Sequence, residues 1–523
     1  MAATPRTTGS PAFILSDDAS RTRGRDAQFW NITAGKAVAE AVRTTLGPRG
    51  MDKLLVDATG NVVITNDGVT ILEEMDVDHP AARMLVEVAR TQEDEVGDGT
   101  TTAAVLAGQL LARAGSLLED DVHPSAIVEG YAAARDLALD AVADAAVGGD
   151  LDDDRLRDVA RSSMTGKGTG DVSADALADL VVRAVRQVTT DDGVARDDVR
   201  VHAQVGASSG ATALVDGVVL DSDPVRDDAP RSVADADVLV FDAKLGAREA
   251  NADVAYDVTS VDQLTAAMDA QTEERRELAA AVADAGADVV FCSKDVDDAV
   301  AAALAKRGVL VYDSLSGDDL RAVAAATGAA PARDATDLQP DDLGYADAVR
   351  VEAFGGDSLT FVEAADADSV TLFVRGGTEH VVTELERALG DALDVVAAAI
   401  DGDGVVPGAG CVELRAADAV RDGAARVDGR AQLAAEAFAD ALDVLPRTLA
   451  ANAGLDPIDA LAALRAGNES GRAGVLVDGD DARVGDPVPA GVYDPAAVKQ
   501  SALEAATEAA TMIVRIDDVI AAE

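Results

Sequence analysis

The spacing of apolar residues along the chain is the feature that most restricts its fold. Apolar residues recur at helical intervals towards both ends, whereas residues 215–365 alternate short β-branched runs with alanine-rich helical segments. That alternation predicts an α/β domain with some parallel strands. Helical ends around an α/β middle predict one helical domain built from both termini. Because 523 residues exceed what one hydrophobic core supports, about three domains are expected in all.

The same spacing assigns individual segments. The predicted helices cover residues 31–46, 103–118, 124–143, 384–399 and 502–520. The predicted strands cover residues 53–56, 61–65, 238–241, 289–291 and 309–312. About the first 25 residues are polar and are predicted to form a mobile arm, and residues 249–257 fit no assignment. Gly148 and Gly149, with the acidic stretch after them, indicate a first domain boundary.

The charge balance indicates the solvent that suits this chain. Acidic residues outnumber basic ones by 96 to 44, the net charge is -52, and only seven basic residues are lysine. In about 1 M salt the Debye length falls to roughly 3 Å and screens the repulsion. The composition is therefore typical of a protein kept soluble in concentrated salt. An acidic disordered chain is excluded because the hydrophobic residues, 48% of the total, are periodic. The charge also argues against nucleic acid and anionic membranes as partners.

Cysteine usage and the absence of long apolar runs indicate the compartment. Cys292 and Cys411 are the two cysteines and cannot form a disulfide framework, which favours a reducing environment. No run of residues has the length and apolarity of a membrane span, and the N-terminus lacks a signal-peptide core. The four histidines are scattered, so no His/Cys metal site is predicted. These features predict a soluble, cytoplasmic protein.

The strongest local motif is GDGTTT at residues 97–102, followed directly by a helical pattern. Glycines allow close approach of a ligand to the backbone, and the N–H groups of a helix start bind phosphate. Asp98 would repel phosphate unless a cation lay between them, so it suggests Mg²⁺. An Asp-Gly turn with a threonine cap explains the same residues without a ligand, and the motif alone leaves both interpretations open.

Other candidate loops are weaker when taken singly. Residues 46–50 (LGPRG) end a helix, residues 66–68 (NDG) follow a strand, and residues 407–410 (PGAG) open a further helix. Each is also a common turn or helix stop. Asp391 lies four residues after Arg387, which is the spacing of an ordinary exposed ion pair. The Walker A phosphate loop is absent from the sequence, so any phosphate site has a different architecture.

Taken together, these segments resemble the group II chaperonins, the thermosomes and their eukaryotic cytosolic relatives. The resemblance runs in the family's order and covers the chain from about residue 20. Its motifs are LGPRGMDKLLVD from Leu46, TNDGVTILEEMDVDHP from Thr65, VGDGTTTAAVLAGQLL from Val96, MTGKG from Met164, VRGGTEHVVTELERALGDAL from Val374, VVPGAG from Val405, EAFADALDVLPRTLAANAGLDPID from Glu436 and RIDDVIAA from Arg515.

The resemblance implies a multidomain α and α/β chaperonin fold. A helical equatorial domain would comprise residues 1–147 and 401–523, and a small α/β intermediate domain residues 148–214 and 368–400. An α/β apical domain with a helical protrusion would comprise residues 215–367. The implied partners are unfolded polypeptides and further subunits, identical or paralogous, in a double ring.

The resemblance also implies the cofactors and the site. These are ATP and Mg²⁺, with K⁺ left open. Asp98 would hold Mg²⁺ on the ATP phosphates, Asp67 and Asp391 would orient the attacking water, Lys167 would sense the γ-phosphate, and Asp486 would meet the ribose. The residues implied to line the nucleotide are Leu46, Gly47, Pro48, Gly99, Thr100, Thr101, Thr102, Gly408, Ala409 and Gly410.

The implied function is that of an ATPase that encloses unfolded polypeptide in the ring cavity. The sequence departs from the family at one glycine position and in the apical region, and the apical departures bear on which substrates are captured. Ala409 stands where the family usually has glycine, and residues 221–231 are acidic where relatives carry a more basic and apolar loop. The expected protrusion, residues 244–271, also has few large apolar residues. An ancillary ring subunit with a structural or holding role is therefore the alternative. A small-molecule kinase is disfavoured because the sequence suggests no acid/base pocket beyond the phosphate-facing set.

Overall fold

A computed structural model describes residues 20–56, 60, 62–149, 151–168, 170–247, 261–468, 471–479 and 481–521. Most of the predicted N-terminal arm and residues 248–260 of the predicted protrusion, which include the unassigned residues 249–257, lie outside the described residues. The chain divides into two compact units. The first contains Met1–Gly149 and Gly402–Glu523, and the second contains Asp150–Asp401.

Both units contain helices and strands, which are numbered in chain order. In the described residues the α-helices are α1 (Arg25–Arg43), α2 (Gly68–Glu74), α3 (Pro80–Val96), α4 (Thr100–Glu119), α5 (Pro124–Ala145), α6 (Asp153–Met164), α7 (Ala174–Gln187), α8 (Val261–Asp284), α9 (Asp298–Ala305), α10 (Gly317–Thr327), α11 (Glu379–Asp401), α12 (Cys411–Ala424), α13 (Ala431–Leu442), α14 (Val444–Asn452), α15 (Pro457–Gly467) and α16 (Ala496–Val514). The strands are β1 (Ser20–Arg23), β2 (Lys53–Val56), β3 (Val62–Thr65), β4 (Thr189–Thr190), β5 (Gly193–Val194), β6 (Val199–Val205), β7 (Ala213–Val215), β8 (Gly217–Leu220), β9 (Ser232–Phe241), β10 (Val289–Cys292), β11 (Leu310–Tyr312), β12 (Gly344–Phe354), β13 (Asp357–Glu363), β14 (Val370–Gly376), β15 (Val405–Pro407), β16 (Gly474–Asp478), β17 (Asp481–Gly485), β18 (Tyr493–Pro495) and β19 (Asp518–Ala521).

The first unit is a helical bundle packed through small residues. Its main core joins α1, α3, α4, α5, α12, α13 and α16 around aliphatic side chains and many alanines. Where α1 crosses α4, a methyl group on Gly108 would lie 2.1 Å from the Ala39 Cβ, and one on Gly35 would lie 2.5 Å from Leu111 Cδ1. Alanine and glycine therefore let these helices approach closely, which is how a chain with 3% aromatic residues fills its core.

Two predictions for the ends of the first unit are wrong. The helix predicted over residues 502–520 ends at Val514, and Asp518–Ala521 instead forms a strand. That strand pairs antiparallel with Ser20–Arg23, which lies within the predicted mobile arm. The pairing joins the two ends of the described chain, and an Arg21–Asp518 ion pair lies across it. Neither segment could be assigned from its own periodicity because each strand is stabilised by the other.

The second unit contains a six-stranded sheet in the order β11-β10-β9-β12-β13-β8. The first three strands are parallel and the others antiparallel, as the alternation of β-branched runs with helical segments predicted in part. Alternate residues of β9 enter different cores, since Val238 and Val240 pack with α10 while Leu239 and Phe241 pack with α8 and α9. The sheet thus has helices on both faces.

A second, three-stranded sheet of the same unit has the order β6-β14-β7 and packs with α11. The strand β14 is buried along its whole length, including the polar residues Thr371 and Arg375. No helix among the described residues is both long and apolar enough to cross a membrane.

Candidate functional site

The turn between α3 and α4 is formed by two glycines on either side of Asp98. Gly97 and Gly99 both adopt left-handed conformations, with φ 65 and φ 83, and Gly99 is the N-cap of α4. The Asp98 carboxylate accepts a hydrogen bond from the Gly99 N–H, with Oδ1 and N 2.7 Å apart. Glycine has no side chain to cap the first turn of α4. The N–H groups of that turn, at the positive end of a 20-residue helix, therefore suit anionic oxygens.

The predicted loop at Asp67 lies directly against this helix start. Asp67 is the N-cap of α2, and its Oδ2 accepts hydrogen bonds from the Thr70 N–H (2.8 Å) and the Thr70 hydroxyl (2.7 Å). A methyl group on Gly68 would lie 2.4 Å from Thr101 Oγ1 and 3.0 Å from Thr100 Oγ1. Glycine at this position therefore lets two predicted loops, distant by some 30 residues in sequence, touch each other.

The predicted loop after α1 is held in a tight turn. The helix ends three residues earlier than predicted, and Gly47 (φ 88) and Pro48 form a turn closed by a hydrogen bond from the Gly50 N–H to the Gly47 carbonyl at 2.9 Å. Asn452 of α14 donates through Nδ2 to the Leu46 carbonyl at 2.8 Å. The loop is therefore attached to a helix from the C-terminal part of the same unit.

The loop before α12 meets the same helix, α14. A methyl group on Gly410 would lie 3.2 Å from Leu449 Cδ1, and one on Gly47 would lie 2.4 Å from Leu449 Cδ2. Leu449 is thus in contact with both glycine loops. Ala409 adopts a left-handed conformation with φ 59, and its carbonyl accepts a hydrogen bond from the Val475 N–H at 2.9 Å. The alanine is accommodated with a backbone conformation that L-residues rarely adopt.

An ionised trio beside Gly408 was missed by the sequence analysis. A methyl group on Gly408 would lie 3.0 Å from the Asp494 carboxylate. Lys499 bridges Asp494 and Glu413, with both N–O distances 2.8 Å. Burial disfavours the charged form of Lys499, but the two carboxylates more than offset this and raise its pKa. Thr102, Glu413 and Lys499 line one pocket. A scarce lysine at the start of an alanine-rich helix was the signal available in the sequence.

Asp486, predicted to meet the ribose, lies just after β17. Its Oδ1 accepts a hydrogen bond from the Val488 N–H at 3.0 Å. Burial, Glu413 and Asp486 act together to raise the pKa of the Cys411 thiol to about 12. Asp486 is therefore near the first residue of α12, although Asp494 is the carboxylate in contact with Gly408.

The remaining two predicted residues lie in the second unit and contact each other. Lys167 forms an ion pair with Asp391, and the two side chains are only 16% and 13% exposed. Arg387 Nη1 also donates to Asp391 Oδ2 at 3.1 Å, while its Nη2 donates to Glu384 Oε1 at 2.8 Å. A methyl group on Gly168 would lie 2.8 Å from Glu384 Cγ, so the MTGKG loop rests on this face of α11. Two cations therefore hold one carboxylate.

The structure thus brings several predicted residues of each unit together. In the first unit, Gly68 contacts the start of α4 beside Asp98, and Leu449 contacts the loops at Gly47 and Gly410. The chemistry of these segments, helix N-termini beside a carboxylate, fits an anionic ligand that carries a hard cation. Within the described residues, no three His, Cys, Asp or Glu side chains form a group that could hold a metal alone. A cation that takes one carboxylate and completes its coordination with phosphate and water fits this donor set.

Comparison with known proteins places this chain among close relatives. A model of the TCP-1/cpn60 chaperonin family matches residues 38–523. Thermosome subunit 3 of Haloferax volcanii is 62% identical over 517 residues, which cover 98% of this chain and 99% of the relative. Thermosome subunit alpha of Halobacterium salinarum is 48% identical over 514 residues, with coverage of 98% and 91%. Thermosome subunit 1 of Haloferax volcanii is 48% identical over 516 residues, with coverage of 98% and 92%.

Proposed function

Because this chain belongs to the TCP-1/cpn60 chaperonin family and is an ATP-dependent group II chaperonin subunit that hydrolyses ATP, we propose that the glycine turns of its first unit bind the nucleotide. The family and the multidomain α and α/β fold predicted from the sequence are confirmed. The observation that carries the proposal is the contact of Gly68 with Thr100 and Thr101 at the glycine-capped start of α4.

In this proposal the first turn of α4 binds the phosphates. The N–H groups and hydroxyls of Thr100, Thr101 and Thr102 would donate to phosphate oxygens, and Asp98 would hold Mg²⁺. When bound, Mg²⁺ would neutralise charge on the transferred phosphoryl group. Gly47, Pro48 and Leu46 pack along the nucleotide. K⁺ as a further ion stays a prediction.

The loop at Gly408–Gly410 is proposed to line the nucleoside side of the same site. Asp486 was assigned to the ribose by resemblance, and that assignment stays a prediction. Asp494 is a second candidate for this contact because its carboxylate lies against Gly408 and forms an ion pair with Lys499. Carboxylates are suitable acceptors for ribose hydroxyl groups.

Asp67 and Asp391 are proposed to orient the water that attacks the γ-phosphate. Both carboxylates are already engaged by hydrogen bonds, Asp67 with Thr70 and Asp391 with Lys167 and Arg387. Lys167 is proposed to sense the γ-phosphate, which would draw its ammonium group from Asp391 to phosphate. Phosphoryl transfer depends on positioning and charge neutralisation. Such an exchange would therefore release one cation from Asp391 only when the γ-phosphate is present.

The proposed partners are unfolded polypeptides and other subunits of a double ring. Relatives numbered 1 and 3 occur in one organism, which supports rings of paralogous subunits. The β2–β3 hairpin carries a surface for such contacts, because one face pairs Leu54 with Ile64 and Val56 with Val62. These four side chains are 47–63% exposed. An exposed apolar face of this kind is typical of protein interfaces.

The division of the second unit into intermediate and apical domains, with boundaries near residues 215 and 367, is part of the proposal, as is a reducing cytoplasmic location. The second unit supports the ancillary alternative at one point. Among the described residues between 215 and 367, the large apolar side chains that are clearly exposed are Met268 and Tyr345. Capture of unfolded polypeptide requires exposed apolar surface, and the described part of this region offers little.

The test is ATP hydrolysis and refolding of a denatured salt-adapted enzyme by purified rings in molar KCl, with Asp391→Ala alongside. Both activities are expected in the wild type and neither in the variant. Hydrolysis without refolding would favour the ancillary alternative. Undiminished hydrolysis by Asp391→Ala would overturn the role proposed for this carboxylate.

A further inference from the structure

Gln92 is a fully buried polar residue in the helix that precedes Asp98. Its side chain has no exposed surface, although α3 is otherwise polar at its C-terminal end. Burying an amide without partners costs about 1–3 kcal/mol by mutational measures, so its hydrogen bonds show what it holds in place.

The Gln92 amide connects the Asp98 turn to the start of α16. Its Nε2 donates to the Asp98 carbonyl at 2.8 Å and to the Val498 carbonyl at 3.3 Å. Its Oε1 accepts a hydrogen bond from the Ser501 hydroxyl at 2.9 Å. Both hydrogens of the amide nitrogen and one lone pair of its oxygen are therefore in use.

The turn closes directly onto this amide. A methyl group on Gly99 would lie 2.9 Å from both Gln92 Nε2 and Val498 Cγ1. The backbone on both sides of the Asp98 side chain is thus defined by Gln92, because it holds the carbonyl of residue 98 and packs under residue 99. Lys499, next to Val498 in sequence, belongs to the ionised trio beside Gly408.

We propose that Gln92 is a positioning residue that sets the Asp98 carboxylate for Mg²⁺ and couples it to the nucleoside side of the site through α16. The inference rests on the role proposed above for Asp98. A purely structural Gln92 would contribute to stability alone. A positioning Gln92 would also change how tightly the metal binds in folded protein, which separates the two.

The experiment compares Gln92→Met, of similar volume but without the amide, with two controls. Gln500→Met makes the same chemical change at a less buried position of α16, where the amide donates to Asp403 Oδ2 at 3.3 Å. Ser501→Ala removes one hydrogen bond to Gln92 and leaves the donor to Asp98 in place. Metal binding is measured as the loss of the free Mn²⁺ EPR signal on titration of ADP-loaded rings in molar KCl, and the Mg²⁺ dependence of ATP hydrolysis is measured in parallel.

Gln92→Met is expected to weaken Mn²⁺ binding and to raise the half-saturating Mg²⁺ concentration by about 10-fold, the lower end of the effects seen when outer-shell partners of metal ligands are removed. Amide hydrogen exchange at residues 97–102 is expected to rise in the same variant. Both controls are expected to stay within about 2-fold of the wild type, since neither changes the Asp98 carbonyl contact. Unchanged Mn²⁺ binding in assembled Gln92→Met rings would overturn the inference.

Gln92→Glu decides the matter if Gln92→Met does not assemble. A carboxylate there has no hydrogen to donate to the Asp98 carbonyl, whereas the protonated acid has one. Mn²⁺ binding by this variant is therefore expected to recover relative to wild type as the pH is lowered. If the ratio of the two Mn²⁺ affinities does not change with pH, the inference is contradicted. Asp98→Asn tests the underlying proposal separately. Strong Mn²⁺ binding by that variant would show that Asp98 is not a metal ligand.

Discussion

The proposed site residues of the first unit are held by backbone conformation, and those of the second unit are held by ion pairs. In the first unit, Gly47, Gly99 and Gly410 adopt left-handed conformations with neighbours too close for a methyl group without adjustment. In the second, Lys167 and Arg387 reach Asp391 through long, flexible side chains.

The difference suggests that the two units respond differently to a ligand. A glycine turn packed against helices has one accessible geometry and can bind a ligand without reorganisation. Ion pairs among partly buried side chains can exchange partners, because one cation can leave a carboxylate while the other remains. We therefore expect the first unit to be sensitive to added volume and the second to be sensitive to changes of charge.

The largest effect is expected from the same substitution made once in each unit. Gly68→Ala places a methyl group 2.4 Å from Thr101 Oγ1 and must separate the two loops. A displacement of about 1 Å can cost about 10²-fold in rate, and ATP hydrolysis is expected to fall by that order. Gly390→Ala, adjacent to Asp391, meets no described atom within 4 Å. It lies inside α11 and should raise the unfolding free energy by about 0.5–1 kcal/mol with hydrolysis retained. Similar rates of ATP hydrolysis by the two variants would contradict the expectation that the first unit is the more sensitive to added volume.

A smaller effect is expected when charge is removed from the second unit. Arg387→Met deletes the hydrogen bonds to Asp391 and Glu384 and leaves Lys167 as the cation on Asp391. The carboxylate is then less well oriented, and kcat should fall by about 10-fold with little change in KM for ATP. Arg387→Lys keeps the charge and should retain more activity. A higher KM for ATP with an unchanged kcat would show that Arg387 affects nucleotide binding and not the orientation of the Asp391 carboxylate.

Stability should change modestly when Ala409, an alanine in the left-handed conformation, is replaced. A left-handed conformation costs an L-residue about 1–2 kcal/mol, which glycine avoids, although glycine gains more entropy on unfolding. Ala409→Gly should therefore raise the unfolding free energy by up to about 1 kcal/mol. Denaturant unfolding in constant molar KCl measures it. A lower midpoint would mean that contacts of the Ala409 methyl group outweigh the backbone strain.

The smallest effect concerns pH and the helix that leads to Asp98. His79 caps α3 through Nδ1, which accepts from the Ala81 N–H at 3.2 Å, and burial lowers the pKa of this imidazole. The unfolded chain then binds a proton near pH 6.5 that the folded chain binds only at lower pH. Stability from this group is complete above that pH and declines as the pH falls.

Unfolding midpoints at pH 7.5 and 5.5, followed by the single tryptophan, measure this dependence. Trp30 is a suitable probe because its ring lies edge-on to His79 at 4.4 Å between centroids. His79→Asn keeps a cap acceptor and has no proton to gain, so it should lose part of the acid dependence. If the difference between the midpoints at pH 7.5 and 5.5 is unchanged in that variant, groups other than His79 cause the pH dependence.

Much of the fold could be predicted from local pattern. The strand pair at residues 53–65 and the helices beginning near residues 100 and 124 were found because their periodicity, caps and turns are local. The C-terminal end of the chain could not be. Residues 515–521 continue an amphipathic pattern, but Asp518–Ala521 forms a strand because Ser20–Arg23 lies beside it. Such pairing depends on residues that are almost the whole chain apart.

The sequence by itself determined the family, the glycine turns and the carboxylates proposed for catalysis, because these follow from motifs in which backbone conformation and side-chain chemistry are both local. Only the tertiary structure decided what surrounds them. It brought Gly68 to Thr101, set Asp494 against Gly408, buried Lys499 between two carboxylates and placed Gln92 under Asp98. These contacts arise from helix packing across hundreds of residues, and the free energy that selects them is that of the whole core.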